Sequence, residues 1–180
     1  MAWLNEYLAV MTAIIYQHGG VVIRCVGDAI MAAFGVPIAR RSDTEIARDA
    51  INAATCALAI QDALARLNEE WRCRALPVAS MRIGINTGEL LAGSLGSESR
   101  LEYTIHGDTV NTAARLESFK KETFAPDHCR HPCRVLLTAA TLNRLGKAFT
   151  TQPIGSVVLK GKKHSTAVFE LLSHRHVGQT

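Results

Sequence analysis

Near the start of the chain Leu4, Leu8, Met11, Ile14 and Ile15 recur at three- and four-residue steps. That period predicts an amphipathic helix from Trp3 to His18, stopped by Gly19-Gly20. Two apolar runs follow, 21–26 and 29–34, around a Gly27-Asp28 pair. This is the pattern of a tight β-hairpin. After a polar connection, Ser42 or Asp43 caps a long helix with a buried stripe of Ile46, Ala50, Ile51, Ala54, Leu58, Ile60, Leu64 and Leu67. Residues 81–86 alternate as a strand, Thr87-Gly88-Glu89 turns the chain, and 90–96 reads as a second strand punctuated by glycine. The glycines of this region predict close approach by another backbone or a ligand. An extended stretch at 101–108 leads into a helix that carries Val110, Ala113, Ala114, Leu116 and Phe119.

Residues 120–132 show no period. Beyond them, 134–137 predicts a strand, and Thr138 caps a short helix ending at Leu145-Gly146. A strand from Gly155, a basic turn and a strand over 166–172 complete the order. Helices alternating with strand pairs in this way imply an α+β or α/β sandwich, with helices covering one face of a sheet.

Composition narrows the function classes. At 180 residues, with 48% hydrophobic and 20% charged residues, the chain predicts one soluble domain. We take residues 1–173 as that domain and 174–180 as a tail. The net charge of +4 suits an anionic small ligand as well as it suits a solvated surface. Scattered cations and an aromatic content of 6% argue against a nucleic-acid platform. No stretch approaches the ~18 apolar residues of a membrane span, and the N-terminus lacks the basic region of a signal peptide. Five cysteines, an odd number partly inside apolar elements, imply reduced thiols and a cytoplasmic setting.

Several residues stand out chemically. Asp28, at the tip of an apolar hairpin, is either a residue tolerant of the turn's positive φ or a strand-end carboxylate placed for a metal or an acid. Asn111 and Arg115 lie one helical turn apart and share a face; taken alone they read equally as a solvated helix surface. Lys160 at a strand end offers a point charge to a phosphate, or simply guards an edge. His128, Cys129, His131 and Cys133 are zinc-ligand types, but their spacing is too tight for a closed site.

Four blocks in order give these residues a context. The run 26–35 (VGDAIMAAFG) resembles the second metal-site hairpin of the class III nucleotide cyclases, and 82–88 (RIGINTG) resembles that family's next strand. The segment 102–117 (EYTIHGDTVNTAARLE) is similar to its substrate-reading segment, and 159–162 (LKGK) to its terminal phosphate-contacting turn. Together they cover the chain from residue 3 to residue 172, with bacterial, cyanobacterial-type adenylate cyclases as the nearest subgroup.

The resemblance implies a ferredoxin-like cyclase sandwich with an antiparallel-rich sheet, forming head-to-tail homodimers whose active sites lie between protomers. It implies conversion of ATP to cyclic AMP and pyrophosphate with two Mg²⁺ or Mn²⁺ ions. Asp28 matches the second metal aspartate, Asn111 the ribose-positioning residue, Arg115 the transition-state arginine and Lys160 the triphosphate contact. In this reading Asp28 serves one site of the dimer and the other residues serve the second. Arg24 and Thr104 match the base-selecting positions. Arg24 departs from the family's lysine or acid, but a donor at 24 and an acceptor at 104 fit adenine better than guanine. The family's first strand, with its own metal aspartate and a Gly-Phe-Thr-like turn, has no counterpart here, because the resemblance begins inside the first helix. Guanylate cyclisation, or a non-catalytic homologue acting as a nucleotide-binding or dimerisation module, is the alternative.

Overall fold

A computed structural model describes residues 1–97, 100–119, 132–161 and 164–175. The order is α1 (Ala2–Gln17), β1 (Gly20–Val26), β2 (Ala29–Phe34), α2 (Asp43–Cys73), β3 (Met81–Ile85), β4 (Leu91–Ser97), β5 (Arg100–His106), α3 (Asp108–Ser118), β6 (Cys133–Thr138), α4 (Ala139–Leu145), β7 (Phe149–Val157) and β8 (Thr166–His174). Among the described residues the strands form one four-stranded sheet, β3-β6-β8-β7, and two hairpins, β1-β2 and β4-β5. β3 and β6 run parallel, and every other pairing is antiparallel.

Local chemistry explains the elements. Ser42 opens α2 with a complete capping box, its hydroxyl accepting from the Glu45 backbone N–H while the Glu45 carboxylate accepts from the Ser42 N–H. The 31-residue helix is buried over more than a narrow stripe, from Ala50 to Trp71. Its Asn68 side chain both donates to the Ala79 carbonyl and accepts from the Ala79 N–H, tying down the loop before β3. Trp3 packs on Trp71 with ring centroids 5.1 Å apart, and Glu6 accepts two bonds from Arg74. These contacts fasten the start of α1 to the end of α2.

The main core lies between the sheet and the layer of α1, α2 and α4, around Met11, Leu64, Trp71, Val135, Leu137 and Leu145. The expected helical face is therefore present. The other face is covered too: Leu116 of α3 joins Leu136, Val168 and Leu159 in a second, smaller cluster. Along β6, Val135 and Leu137 point to the first cluster and Leu136 to the second, the period-two alternation of a strand buried on both sides.

Two boundaries differ from the sequence reading. β7 begins at Phe149 rather than Gly155, because register shifts at Thr150/Thr151 and Pro153/Gly155 break its alternation. It is the edge strand, where a proline is tolerated. Thr138 holds the N-cap position of α4, but its hydroxyl donates to Asn86 Oδ1 at 2.7 Å instead of capping. Of the four tentative zinc ligands only Cys133 lies within the described residues. It is buried in the main core, and desolvation pushes its thiol up to about 12.

Candidate active site

The strand β3 and the turn after it form a cradle for α3. Alternation directs Ile83 and Ile85 into the main core. It directs Arg82, Gly84, Asn86 and Gly88 toward α3. A Cβ on Gly84 would stand 2.1 Å from the Ala113 carbonyl oxygen and 2.7 Å from the Glu117 nitrogen. The helix thus lies directly on the strand backbone. A Cβ on Gly88 would stand 2.6 Å from Thr109 Oγ1.

Both ends of α3 are tied. At its start Asn86 Nδ2 donates to the Thr109 carbonyl at 3.1 Å, and Thr109 Oγ1 donates to the Glu89 carbonyl at 2.6 Å. At its end Arg82 Nε donates to the Glu117 carbonyl at 3.2 Å, and its Nη2 pairs with the Glu117 carboxylate at 2.8 Å. Arg134, the register partner of Arg82 on β6, donates to the Phe119 carbonyl. These two cations satisfy carbonyls that a helix end leaves without helical partners.

The held helix presents Asn111, exposed, and Arg115, half-buried, one turn apart as the spacing predicts. Lys160 lies past the end of β7, in the turn that leads toward β8, rather than at a strand end. Leu159, 2% exposed, anchors that turn in the Leu116 cluster, next to Arg115 in sequence. Gly161 adopts φ +74°, and a Cβ there would stand 3.3 Å from Arg115 Nη2. Glycine therefore gives both the turn and the room for the guanidinium. Asn111, Arg115 and the Lys160 turn form one group.

Arg24 belongs to a second group, and a β-bulge sets its direction. Val22 pairs with Ala32, but Arg24 pairs with Met31, leaving Ile23 as the extra residue. Val22, Ile30 and Ala32 pack against the core. The bulge turns Arg24 to the opposite side, where Nη2 pairs with Glu102 Oε2 at 2.8 Å. Ile23, Arg24, Cys25, Glu102 and Tyr103 line a cavity of about 580 Å³ between the two hairpins. Thr104, the other expected base reader, is 7% exposed and does not line this cavity. Sequence reasoning missed Glu102. Its signal was its place two residues before Thr104, on the same face of β5.

Asp28 is exposed at the hairpin tip. Burial, and next the charge of Asp28, push the Tyr7 phenol up to about 12, so the tip lies over α1. Among the described residues no three His, Cys, Asp or Glu side chains gather into a metal cluster. One exposed carboxylate fits a single ligand of a hard cation such as Mg²⁺, which keeps waters and takes phosphate oxygens for its other positions. No helix of the described residues is long and apolar enough to cross a membrane.

Comparison with known proteins gives the family and the fold. Residues 1–172 match the family described as adenylate and guanylate cyclase catalytic domain. Adenylate cyclase 1 of Rhizobium meliloti is 33% identical over 172 residues, which is 96% of this chain and 24% of that protein. The chain thus spans about a quarter of that relative's length. The crystal structure of the adenylyl cyclase CyaB from P. aeruginosa superposes with a TM-score of 0.83 at 28% identity, covering 97% of this chain and 83% of that one. The guanylate cyclase domain of RhGC from Catenaria anguillulae, solved with GTP, gives 0.76 at 26% identity, covering 97% and 84%. With its blocks in order, its strand-cradled α3 and a match over almost all of its length, the chain belongs to the adenylate and guanylate cyclase catalytic domain family.

Proposed function

We propose that this domain converts ATP to cyclic AMP and pyrophosphate, at sites completed by two copies packed head to tail. The observation that carries the reading is the group of Asn111, Arg115 and the Lys160 turn, held by a helix fixed at both ends. In the reaction the ribose 3′-oxygen bonds to the α-phosphorus, the bond from that phosphorus to the β-phosphate bridge breaks, and the 3′-hydroxyl proton leaves. Negative charge grows on the phosphate oxygens, so fixed donors aimed there lower the barrier. Arg115 is the planar donor for the α-phosphate in the transition state. Lys160 holds the triphosphate as a point charge, and Asn111 orients the ribose. Arg24 donates to the base, and Thr104 accepts from the adenine amino group.

Asp28 would hold one divalent cation. Mg²⁺ or Mn²⁺ bound there supplies positive charge against the triphosphate. In the head-to-tail reading Asp28 serves one site, and the α3 group and base readers serve the other. The β4-β5 hairpin supports pairing of copies: Leu91, Leu95 and Leu101 are 77%, 61% and 66% exposed. A nucleoside triphosphate substrate and the free thiols of Cys25, Cys56, Cys73 and Cys133 are the chemistry of a cytoplasmic compartment.

The test is turnover of ATP and GTP with Mg²⁺ or Mn²⁺ by wild type and Asp28→Ala. Cyclic AMP from the wild type and none from the variant is the expected result. A variant with wild-type turnover would sink the assignment of Asp28.

A further inference from the structure

The parallel strands β3 and β6 end side by side, and one side chain there joins the sheet to α3. Ile85 pairs with Leu137, so Asn86 and Thr138 are the next residues on the two chains. Thr138 is 3% exposed, and its hydroxyl donates to Asn86 Oδ1 at 2.7 Å. Asn86 Nδ2 in turn donates to the Thr109 carbonyl at 3.1 Å. The chemistry of the groups forces this order. A carbonyl only accepts, so the amide turns its nitrogen to the helix, and its oxygen is left for a hydroxyl that must donate. Thr87 and Thr141 fasten the same corner. The Thr87 hydroxyl donates to Thr141 Oγ1 at 3.1 Å, and the buried Thr141 hydroxyl donates to the Ile85 carbonyl at 3.4 Å.

The two halves of α3 are held by different means. Around Arg115, Leu116 is fully buried in the smaller cluster, and Gly84 meets the backbone at Ala113 and Glu117. Arg82 and Arg134 bind the carbonyls of Glu117 and Phe119 just beyond. The first turn, which carries Asn111, is tied through Thr109. The Thr109 hydroxyl reaches the Glu89 carbonyl, on an exposed residue of the loop after β3. The Thr109 carbonyl reaches Asn86, and through it the ends of β3 and β6. Asn86 is therefore the link between the sheet and the turn that presents Asn111.

We infer that Asn86 is a positioning residue: its amide, itself oriented by Thr138, sets the first turn of α3 and so the place of Asn111 against the ribose. The inference rests on the cyclase reading above and adds a residue that acts through Asn111 rather than on the nucleotide. Asn86→Asp keeps the shape of the side chain and the bond from Thr138. It turns an acceptor toward the Thr109 carbonyl, so the tie becomes a repulsion. Misplacing an orienting group by about 1 Å costs up to about 10²-fold in rate.

The experiment is a pair of double-mutant cycles, Asn86→Asp with Asn111→Ala and Asn86→Asp with Lys160→Ala. Turnover of ATP with Mn²⁺ is measured per folded molecule, and ATP binding is measured by calorimetry. The expected result for Asn86→Asp is a fall in kcat of about 10–100-fold, with KM nearly unchanged. Added to Asn111→Ala, it should cost less than about twofold more, whereas with Lys160→Ala the two losses should multiply. Thr138→Val should lose part of kcat, and Thr138→Ser, which keeps the hydroxyl, should restore it. Should Asn86→Asp melt early, Thr138→Val takes its place in both cycles. A wild-type kcat in the variant overturns the inference. So do losses that multiply with Asn111→Ala, and coupling to Lys160 as strong as to Asn111. A wild type that cyclises neither ATP nor GTP overturns the cyclase reading instead. The same cycles read in ATP affinity then decide for Asn86, and additivity there, or no binding, counts against it.

Discussion

The Ala113 carbonyl oxygen lies 2.1 Å from where a Cβ of Gly84 would be, so α3 rests on the backbone of β3 with no side chain between them. Any residue but glycine at 84 has to lift the helix, and with it Asn111 and Arg115. We predict that Gly84→Ala loses about 1–3 kcal/mol, in the range of overpacked cores. Its activity falls by more than its folded fraction does. Gly93→Ala, whose Cβ would meet nothing within 4 Å, stays within about 0.5 kcal/mol of wild type. Urea titrations of both variants, with activity per folded molecule, make the comparison.

Arg115 and Lys160 share one corner of the molecule but differ in role. Removing a donor that acts chiefly on the transition state lowers kcat, by about 10²–10³-fold for Arg115→Ala. Lys160→Ala, which removes a point charge from the triphosphate, raises KM by about tenfold, the equivalent of ~1.4 kcal/mol. Steady-state kinetics separates the two, and equal loss of kcat in both would contradict the assigned roles.

The capping box of α2 is open to solvent and independent of the site. Ser42→Ala removes an acceptor from the Glu45 N–H and is expected to lower stability by about 1 kcal/mol. Thermal melting should register this as a fall of about 2–4 °C, with KM for nucleotide unchanged.

Tyr7 gives the domain an alkaline sensitivity. Its phenol is raised from the usual 10 to about 12, by burial first and the Asp28 charge second. The folded state therefore holds this proton more tightly than the unfolded chain. Its contribution is complete below pH 10 and disappears as pH rises toward 12. Cys56 and Cys133, also raised by burial, act in the same direction. Melting temperatures across this range should fall less steeply in Tyr7→Phe than in wild type. Equal slopes would mean that the phenol does not couple to folding.

The exposed apolar hairpin predicts association. Leu101→Glu places a charge on the surface proposed to meet a second copy. Sedimentation should then show a shift toward monomer, with activity per chain lost at dilutions where the wild type retains it.

Much of this was legible in the sequence, because local rules governed it. The period of Leu4 to Ile15, the Gly27-Asp28 turn, a cap at Ser42 or Asp43 and the Asn111–Arg115 spacing each depend on neighbours within a few residues, and each appears in the structure, with Ser42 taking the cap. Glu102 was not legible. Its pairing partner is Arg24, 78 positions earlier, brought to that side by a bulge that hydrophobic alternation does not announce. Thr138 looked like a cap by position, yet Asn86 from another strand claims its hydroxyl. The early part of β7 was hidden by Pro153 and two register shifts that only pairing with β8 makes readable as a strand.

The bulge at Ile23 also makes the direction of Arg24 a matter of counting. Val22 stands opposite Ala32 and Arg24 opposite Met31, so Ile23 is one residue too many for the ladder. Deleting Ile23 would leave both pairings in place and Arg24 on its present side. Straightening the bulge at constant length would instead set Arg24 opposite Ile30, and alternation would aim the guanidinium at the apolar layer of Val22, Ile30 and Ala32. Along this hairpin the surplus residue has to stay out of the ladder for the cation to stay out of the core.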